Sequence, residues 1–223
     1  KMGDLAKCVF IVKDKDINYS QALPLVVFEK MSDILALLLW CIVGLLFLKN
    51  FSSFYGIILS VVLIFFLMGV LTIFSKPFTN KMIVLALLIL PKRFSYSIEV
   101  FQVGWYETID FIKQDKKKIW FLYFLSMFLW FLHLFQIWLF IIAFSPDVEL
   151  FVSLTITPIA IIAGLIPLTF SGIGTRDAAF IYFYSAYIST ATGAAIGILA
   201  TLRYVIPAIV GIPFFSYYLN KIR

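Results

Sequence analysis

Glu29, Lys30, Asp33, Arg176, Asp177 and Arg203 stand inside or beside stretches of this chain that are otherwise apolar. Glu29 and Asp33 are four residues apart, so a helix would put them on one face. Arg176 and Asp177 are adjacent, and the glycine-broken run Ser171-Gly172-Ile173-Gly174-Thr175 delivers them. Guanidinium groups bind phosphate bidentately. Backbone N–H groups at a glycine-rich turn and at the start of the following helix add further anion donors. These residue types at these spacings point to phosphate binding by Arg176 and Arg203, with Gly172, Gly174 and Thr175 supplying backbone and hydroxyl donors. Glu29, Lys30, Asp33 and Asp177 are the candidate charge partners. The competing reading is a static ion-pair network that fixes helix register, with Lys30 reaching out to the membrane surface.

The elements that carry these charges follow from composition. The 223 residues are 63% hydrophobic and 13% charged, with mean hydropathy +1.04. Ordinary soluble domains are about 45–50% apolar and about 25% charged. The chain reads as an all-α, polytopic membrane protein of about five to six spans. We expect one transmembrane domain over residues 1–223, with no room for a soluble catalytic domain. A charge in a span costs at least ~2.5–3.5 kcal/mol on insertion scales, so it faces a partner or a wet cavity and marks function. The phosphate in question is then that of a lipid, and Glu29 and Asp33 would hold the arginines when lipid is absent or take a cationic headgroup.

Along the chain, residues 1–22 are polar and read as a cytoplasmic segment. Leu23–Leu48 is the first span, with Ser20 expected to cap its start. Phe51–Phe74 is the second. The polar connection 75–118 contains Met82–Leu90, too short to cross as a helix. It also contains Ile98, Phe101, Trp105, Ile109 and Ile112 at helical spacing, the pattern of an amphipathic helix lying on the surface or on the bundle. Ile119–Phe144 is the third span. Residues 150–190 are interrupted by Pro158, Pro167, Gly164, Gly172 and Gly174. Such breakers survive at membrane depth only where the freed backbone groups are buried in protein or line a polar cavity. We expect a re-entrant hairpin here, followed by a last span over Gly193–Leu219.

The basic residues sort by side. Lys1, Lys7, Lys13 and Lys15 fall in the first segment. Lys76, Lys81, Lys92, Arg93, Lys113 and Lys116-Lys117-Lys118 fall in the 75–118 connection, and Lys221 and Arg223 at the end. Lys49 stands alone on the other side, beside Asp147 and Glu149. The positive-inside rule puts both ends of this stretch in the cytoplasm of a multi-pass cell-membrane protein. The same rule accounts for the net charge of +6 without nucleic acid. His133 is the only histidine, and with only Cys8 and Cys41 beside it no metal cluster or other cofactor is expected.

Four places resemble one family. Phe28-Glu29-Lys30-Met31-Ser32-Asp33 is similar to its Glu-Arg/Lys, two residues, Asp signature at the start of a span. Pro167-Leu168-Thr169-Phe170-Ser171-Gly172-Ile173-Gly174-Thr175-Arg176-Asp177 resembles its Pro…Gly-Gly-Leu-Gly-x-Arg-Glu loop. Arg203 matches a basic position in its last span, and Gly3-Asp4 resembles an earlier Gly-Glu motif. The family is the lysylphosphatidylglycerol synthase transmembrane region, a flippase-like domain. Ser171 replaces a glycine of its pattern, and Asp4 and Asp177 stand where Glu is usual. The resemblance spans essentially the whole chain. It implies helices ahead of Gly3-Asp4 that are missing here, consistent with a start at Lys1.

In that family the domain moves anionic or aminoacylated phospholipids between leaflets, or accompanies glycosyltransferases of polyprenyl-linked sugar pathways. The resemblance therefore implies a lipid partner, an anionic phospholipid or a lipid-linked sugar. The alternative is a membrane anchor or partner subunit for a separate aminoacyl- or glycosyltransferase, or a homo-oligomer, with structural charges. An integral membrane enzyme is the weakest class, because no nucleophile–base pair, metal cluster or nucleotide loop appears in the sequence.

Overall fold

The computed structural model describes residues 7–12, 18–47, 53–89, 91, 95–166, 169 and 172–222. Its described elements are helical, and no strand occurs among them. After α1, described over residues 7–12, come α2 (Tyr19–Leu46), α3 (Ser53–Phe74), α4 (Lys76–Ile89), α5 (Ser95–Gln114) and α6 (Lys116–Ile142). They are followed by α7 (Leu150–Leu165), α8 (Thr175–Phe183) and α9 (Thr190–Ile222). The chain divides into two units. One comprises Lys1–Ile42 and Ser52–Trp130, the other Val43–Phe51 and Phe131–Arg223.

In the first unit α2 begins four residues before the expected span. Gln21 and Ala22 donate their N–H groups to the Asn18 carbonyl, both at 3.0 Å. Ser20 is therefore the second residue of the helix rather than its cap. Its importance lies in its carbonyl. Pro24, four residues on, has no N–H to give, which releases the Ser20 carbonyl from the helix ladder. The backbone of α5 lies against it, since a Cβ on Gly104 would stand 2.0 Å from Ser20 O and 3.0 Å from Pro24 Cγ. Only a residue without a side chain fits there.

The face of α5 read from its spacing is the face it buries. Trp105 and Ile109 form a core with Phe28, with Phe101 and Ile112 packed against it. Phe101 stacks on Trp105 with ring centroids 6.0 Å apart. The short apolar piece becomes α4, of 14 residues. Polar contacts link it to α5, with Gln102 Nε2 donating to Asn80 Oδ1 at 3.0 Å and Lys76 Nζ to Asp110 Oδ2 at 2.7 Å. In contrast α3 buries Val62 and leaves Ile57, Ile64, Phe65 and Leu67 exposed, as a helix with hydrocarbon for solvent should.

The second unit is built on α7, which buries every residue from Ser153 to Ala160. Its core gathers Ile137, Ile141, Ile156, Phe180, Tyr184 and Ile196. Three hydroxyls are sealed inside and satisfy one another. Tyr184 Oη lies 2.8 Å from Thr157 Oγ1 and donates to Ser153 Oγ at 3.2 Å, and those two are 3.1 Å apart. α7 packs on α8, and α8 on α9.

Among the described residues, three helical segments are long and apolar enough to cross a membrane: Ser53–Phe74, Ile119–Ile142 and Thr190–Pro213. α2 has the length, at 28 residues, but carries Glu29, Lys30 and Asp33. α7 has 16 residues, about 24 Å, short of the ~30 Å hydrocarbon. With nine-residue α8 packed back on it, it forms a hairpin of two short helices across the glycine-rich break.

Candidate functional site

The break between α7 and α8 is closed by glycines that do different things. Gly172 and Gly174 hold φ of 76° and 96°, the left-handed region that glycine occupies at no steric cost. A Cβ on Gly172 would also stand 2.7 Å from the Gly164 carbonyl oxygen. A Cβ on Gly164 would in turn stand 2.8 Å from Arg176 Cβ. Gly164 thus lets the chain double back so that the start of α8 lies on the end of α7. Asp177 Oδ2 accepts the Gly174 N–H at 3.0 Å, satisfying a free donor at the start of α8, where a negative charge is also favoured by the helix dipole. The Thr175 hydroxyl meets Thr169 Oγ1 at 3.0 Å and donates to the Gly172 carbonyl at 3.4 Å. Pro167, Leu168, Phe170 and Ser171 of the loop motif, and the Gly3-Asp4 motif, lie outside the described residues.

Arg176 leaves this turn toward α9. Its Nη2 donates to Thr201 Oγ1 at 2.6 Å, to the Gly197 carbonyl at 3.2 Å and to Asp177 Oδ1 at 3.1 Å, while Nε reaches the same carboxylate oxygen at 3.3 Å. The side chains of the pair are 9% and 24% exposed, so the arginine is nearly sealed. α9 admits them because its near face is small. A Cβ on Gly197 would meet Asp177 Cγ at 2.8 Å, and one on Gly193 would meet Ile181 Cγ1 at 3.1 Å. Gly193, Gly197 and Thr201 recur every four residues, a small-residue stripe of the kind that lets membrane helices approach closely. That spacing was the available signal for these partners of Arg176.

Arg203 is held differently. It is two residues beyond Thr201, about 200° around α9, and it faces α6. Nη1 donates to the His133 carbonyl and to Gln136 Oε1, each at 3.3 Å. Nη2 donates to the Tyr204 hydroxyl, and the guanidinium carbon lies 4.5 Å from the centre of the Tyr204 ring. Nε is buried with no acceptor. Among the described residues no carboxylate pairs with Arg203. The two arginines therefore sit in separate networks: Arg176 is neutralised by a carboxylate, whereas Arg203 is met only by neutral groups. His133 contributes its backbone carbonyl to this site.

Residues 1–211 match the family described as Lysylphosphatidylglycerol synthase TM region. The chain belongs to this family. It is an integral membrane protein of that kind. No curated protein and no solved structure matches the chain.

The acidic motif of this family member lies in the first unit, and its charges have partners there. Lys7 Nζ donates to Glu29 Oε2. Lys30 Nζ stands 3.6 Å from Asp33 Oδ2. Ser126 of α6 donates to Asp33 Oδ1 at 3.3 Å. No local pattern marks Lys7 as a partner of Glu29, because only the tertiary fold brings α1 beside α2. A cleft of about 410 Å³ adjoins the motif, with Glu29, Ser32, Asp115 and Ser126 among its lining residues.

Proposed function

We propose that this protein binds, and moves between leaflets, a lipid carrying a phosphate, either an anionic phospholipid or a polyprenyl-phosphate-linked lipid. The observation that carries the reading is the Arg203 guanidinium. It is a cation in a span-length helix, opposed by no described carboxylate, with a buried Nε–H that lacks an acceptor. A charge at that depth needs a counter-charge or a wet path, and a phosphate supplies two oxygens at the spacing of a guanidinium fork. The His133 carbonyl and Gln136 amide are neutral acceptors that an anion would displace readily. Arg176 and Asp177 act in this reading as the clasp that fixes the glycine loop. The backbone N–H groups at the start of α8 from Thr175 on, beyond that of Gly174 which Asp177 holds, then offer the headgroup a second contact. The basic side of the chain faces the cytoplasm of the cell membrane, and a cationic headgroup there would compete with Lys7 for Glu29 and with Lys30 for Asp33.

The second reading is a membrane anchor or partner subunit for a separate aminoacyl- or glycosyltransferase. The ion pairs Lys7–Glu29, Lys30–Asp33 and Arg176–Asp177 favour it, because paired charges are what a purely structural network requires. Leaflet transfer of fluorescent phosphatidylglycerol in proteoliposomes separates the two. The intact protein is compared with Arg203→Leu and Arg203→Lys, each matched for reconstituted amount. Losing charge-assisted hydrogen bonds worth ~1.5–3 kcal/mol lowers transfer by about tenfold or more in Arg203→Leu, and Lys restores part of it. Equal transfer by wild type and Arg203→Leu would remove Arg203 from any lipid path. No transfer by the wild type with any phosphate-bearing lipid would favour the anchor reading.

A further inference from the structure

The first unit contains a second cleft, of about 550 Å³, whose walls come from four helices. Leu35 of α2, Phe66, Val70 and Ile73 of α3 and Tyr123 of α6 line it, with Lys113 of α5 at the Phe74 end. The α3 wall from Phe66 to Phe74 runs about 12 Å. On the same helix Ile64, Phe65 and Leu67 point outward and are exposed, so hydrocarbon surrounds the cleft. A narrow apolar slot of this kind, beside a helix of span length, suits one extended hydrocarbon chain.

Lys113 supplies the polar end. Its Nζ donates to the Phe74 carbonyl at 3.2 Å, at the last turn of α3, and lies 5.8 Å from the Phe74 ring centre. Among the described residues no carboxylate pairs with it. The amine keeps donors free at the level where a crossing helix ends, the depth of lipid phosphates.

We propose that this cleft holds one acyl chain of a bilayer phospholipid, with the lipid phosphate against Lys113. It is a site separate from Arg203, and it requires lipid contact but not transport. The test places the full-length protein in phosphatidylcholine vesicles doped with phosphatidylglycerol that carries a mid-chain diazirine. Irradiation is followed by mass-spectrometric mapping of the labelled residues.

Label should concentrate on Val70, Ile73 and Tyr123 and fall several-fold in Val70→Trp, which fills the slot. Lys113→Gln, a change at a solvent-accessible side chain, should lower labelling by the phosphatidylglycerol probe. Labelling spread evenly over Ile64, Phe65 and Leu67, or unchanged in both variants, would overturn the proposal. Covalent dimers or cross-links to another protein in place of lipid adducts would assign the cleft to a protein partner and overturn it too. Because the readout is not transfer, loss of transfer with labelling intact would count against the proposed function alone.

Discussion

Asp177 Oδ1 lies 3.1 Å from Arg176 Nη2, although the two residues are consecutive on one helix. Consecutive side chains on a helix diverge by about 100° and do not normally meet. They meet here because Arg176 is pulled across to the Gly197 carbonyl and Thr201 hydroxyl of α9, and Asp177 is held at the Gly174 N–H. The pair clasps three pieces of chain: the glycine loop, the first turn of α8 and the small face of α9.

The clasp should show as strong energetic coupling. Asp177→Ala leaves a guanidinium at 9% exposure with only neutral acceptors, and breaking one partner of a buried pair costs ~3–5 kcal/mol. Arg176→Met removes the charge that needs compensation and costs less. The double variant Arg176→Met/Asp177→Ala should be more stable than Asp177→Ala alone. Denaturant unfolding in detergent measures all three, and simple additivity would refute the coupling.

The two left-handed glycines should respond unequally to alanine. Gly174→Ala meets nothing closer than Thr169 Cγ2 at 3.7 Å, so its cost is the backbone conformation alone, ~1–3 kcal/mol. Gly172→Ala carries that cost and also sets a methyl 2.7 Å from the backbone oxygen of Gly164. Overpacking against backbone adds ~1–3 kcal/mol. Thermal unfolding should therefore rank Gly172→Ala clearly below Gly174→Ala, and equal melting temperatures would contradict the close approach.

In the first unit, Gly104→Ala should be among the most damaging small substitutions. The added methyl would stand 2.0 Å from Ser20 O, and relieving it must separate α5 from α2, at ~3 kcal/mol or more. Neighbouring Val103 is 59% exposed, and Val103→Ala should change stability by no more than ~0.5 kcal/mol. Limited proteolysis of the connection between α4 and α5 reads the difference. Equal protection in the two variants would place α5 elsewhere.

Much of the architecture was legible from pattern. Ile98, Phe101, Trp105, Ile109 and Ile112 announced α5 and its buried face because helical periodicity is a local property. Gly164, Gly172 and Gly174 announced the break that became the α7–α8 hairpin, since φ acts at the residue itself, whereas Pro158, expected to interrupt the segment, lies within α7, which runs on to Leu165. Ser20 was misread for the opposite reason. Its hydroxyl suggested a cap, while Pro24 four residues later had freed its carbonyl and Asn18 had already opened the helix. The stripe Gly193, Gly197, Thr201 was visible, but nothing local said which side chain it would receive.

The sequence by itself determined that this is a helical membrane protein of the lysylphosphatidylglycerol synthase TM region family, and where its intramembrane charges lie along the chain. Hydrophobicity, helical period and glycine conformation are short-range quantities, and short-range quantities survive in a linear string. Partner choice does not. Arg176 is neutralised by its own neighbour, Glu29 by distant Lys7, and Arg203 by no described carboxylate, because a charge in low dielectric takes whichever counter-group packing brings within hydrogen-bond reach. Only the tertiary structure decided which groups those would be, in the case of Arg176 through the side-chain-free contacts at Gly164, Gly172 and Gly197.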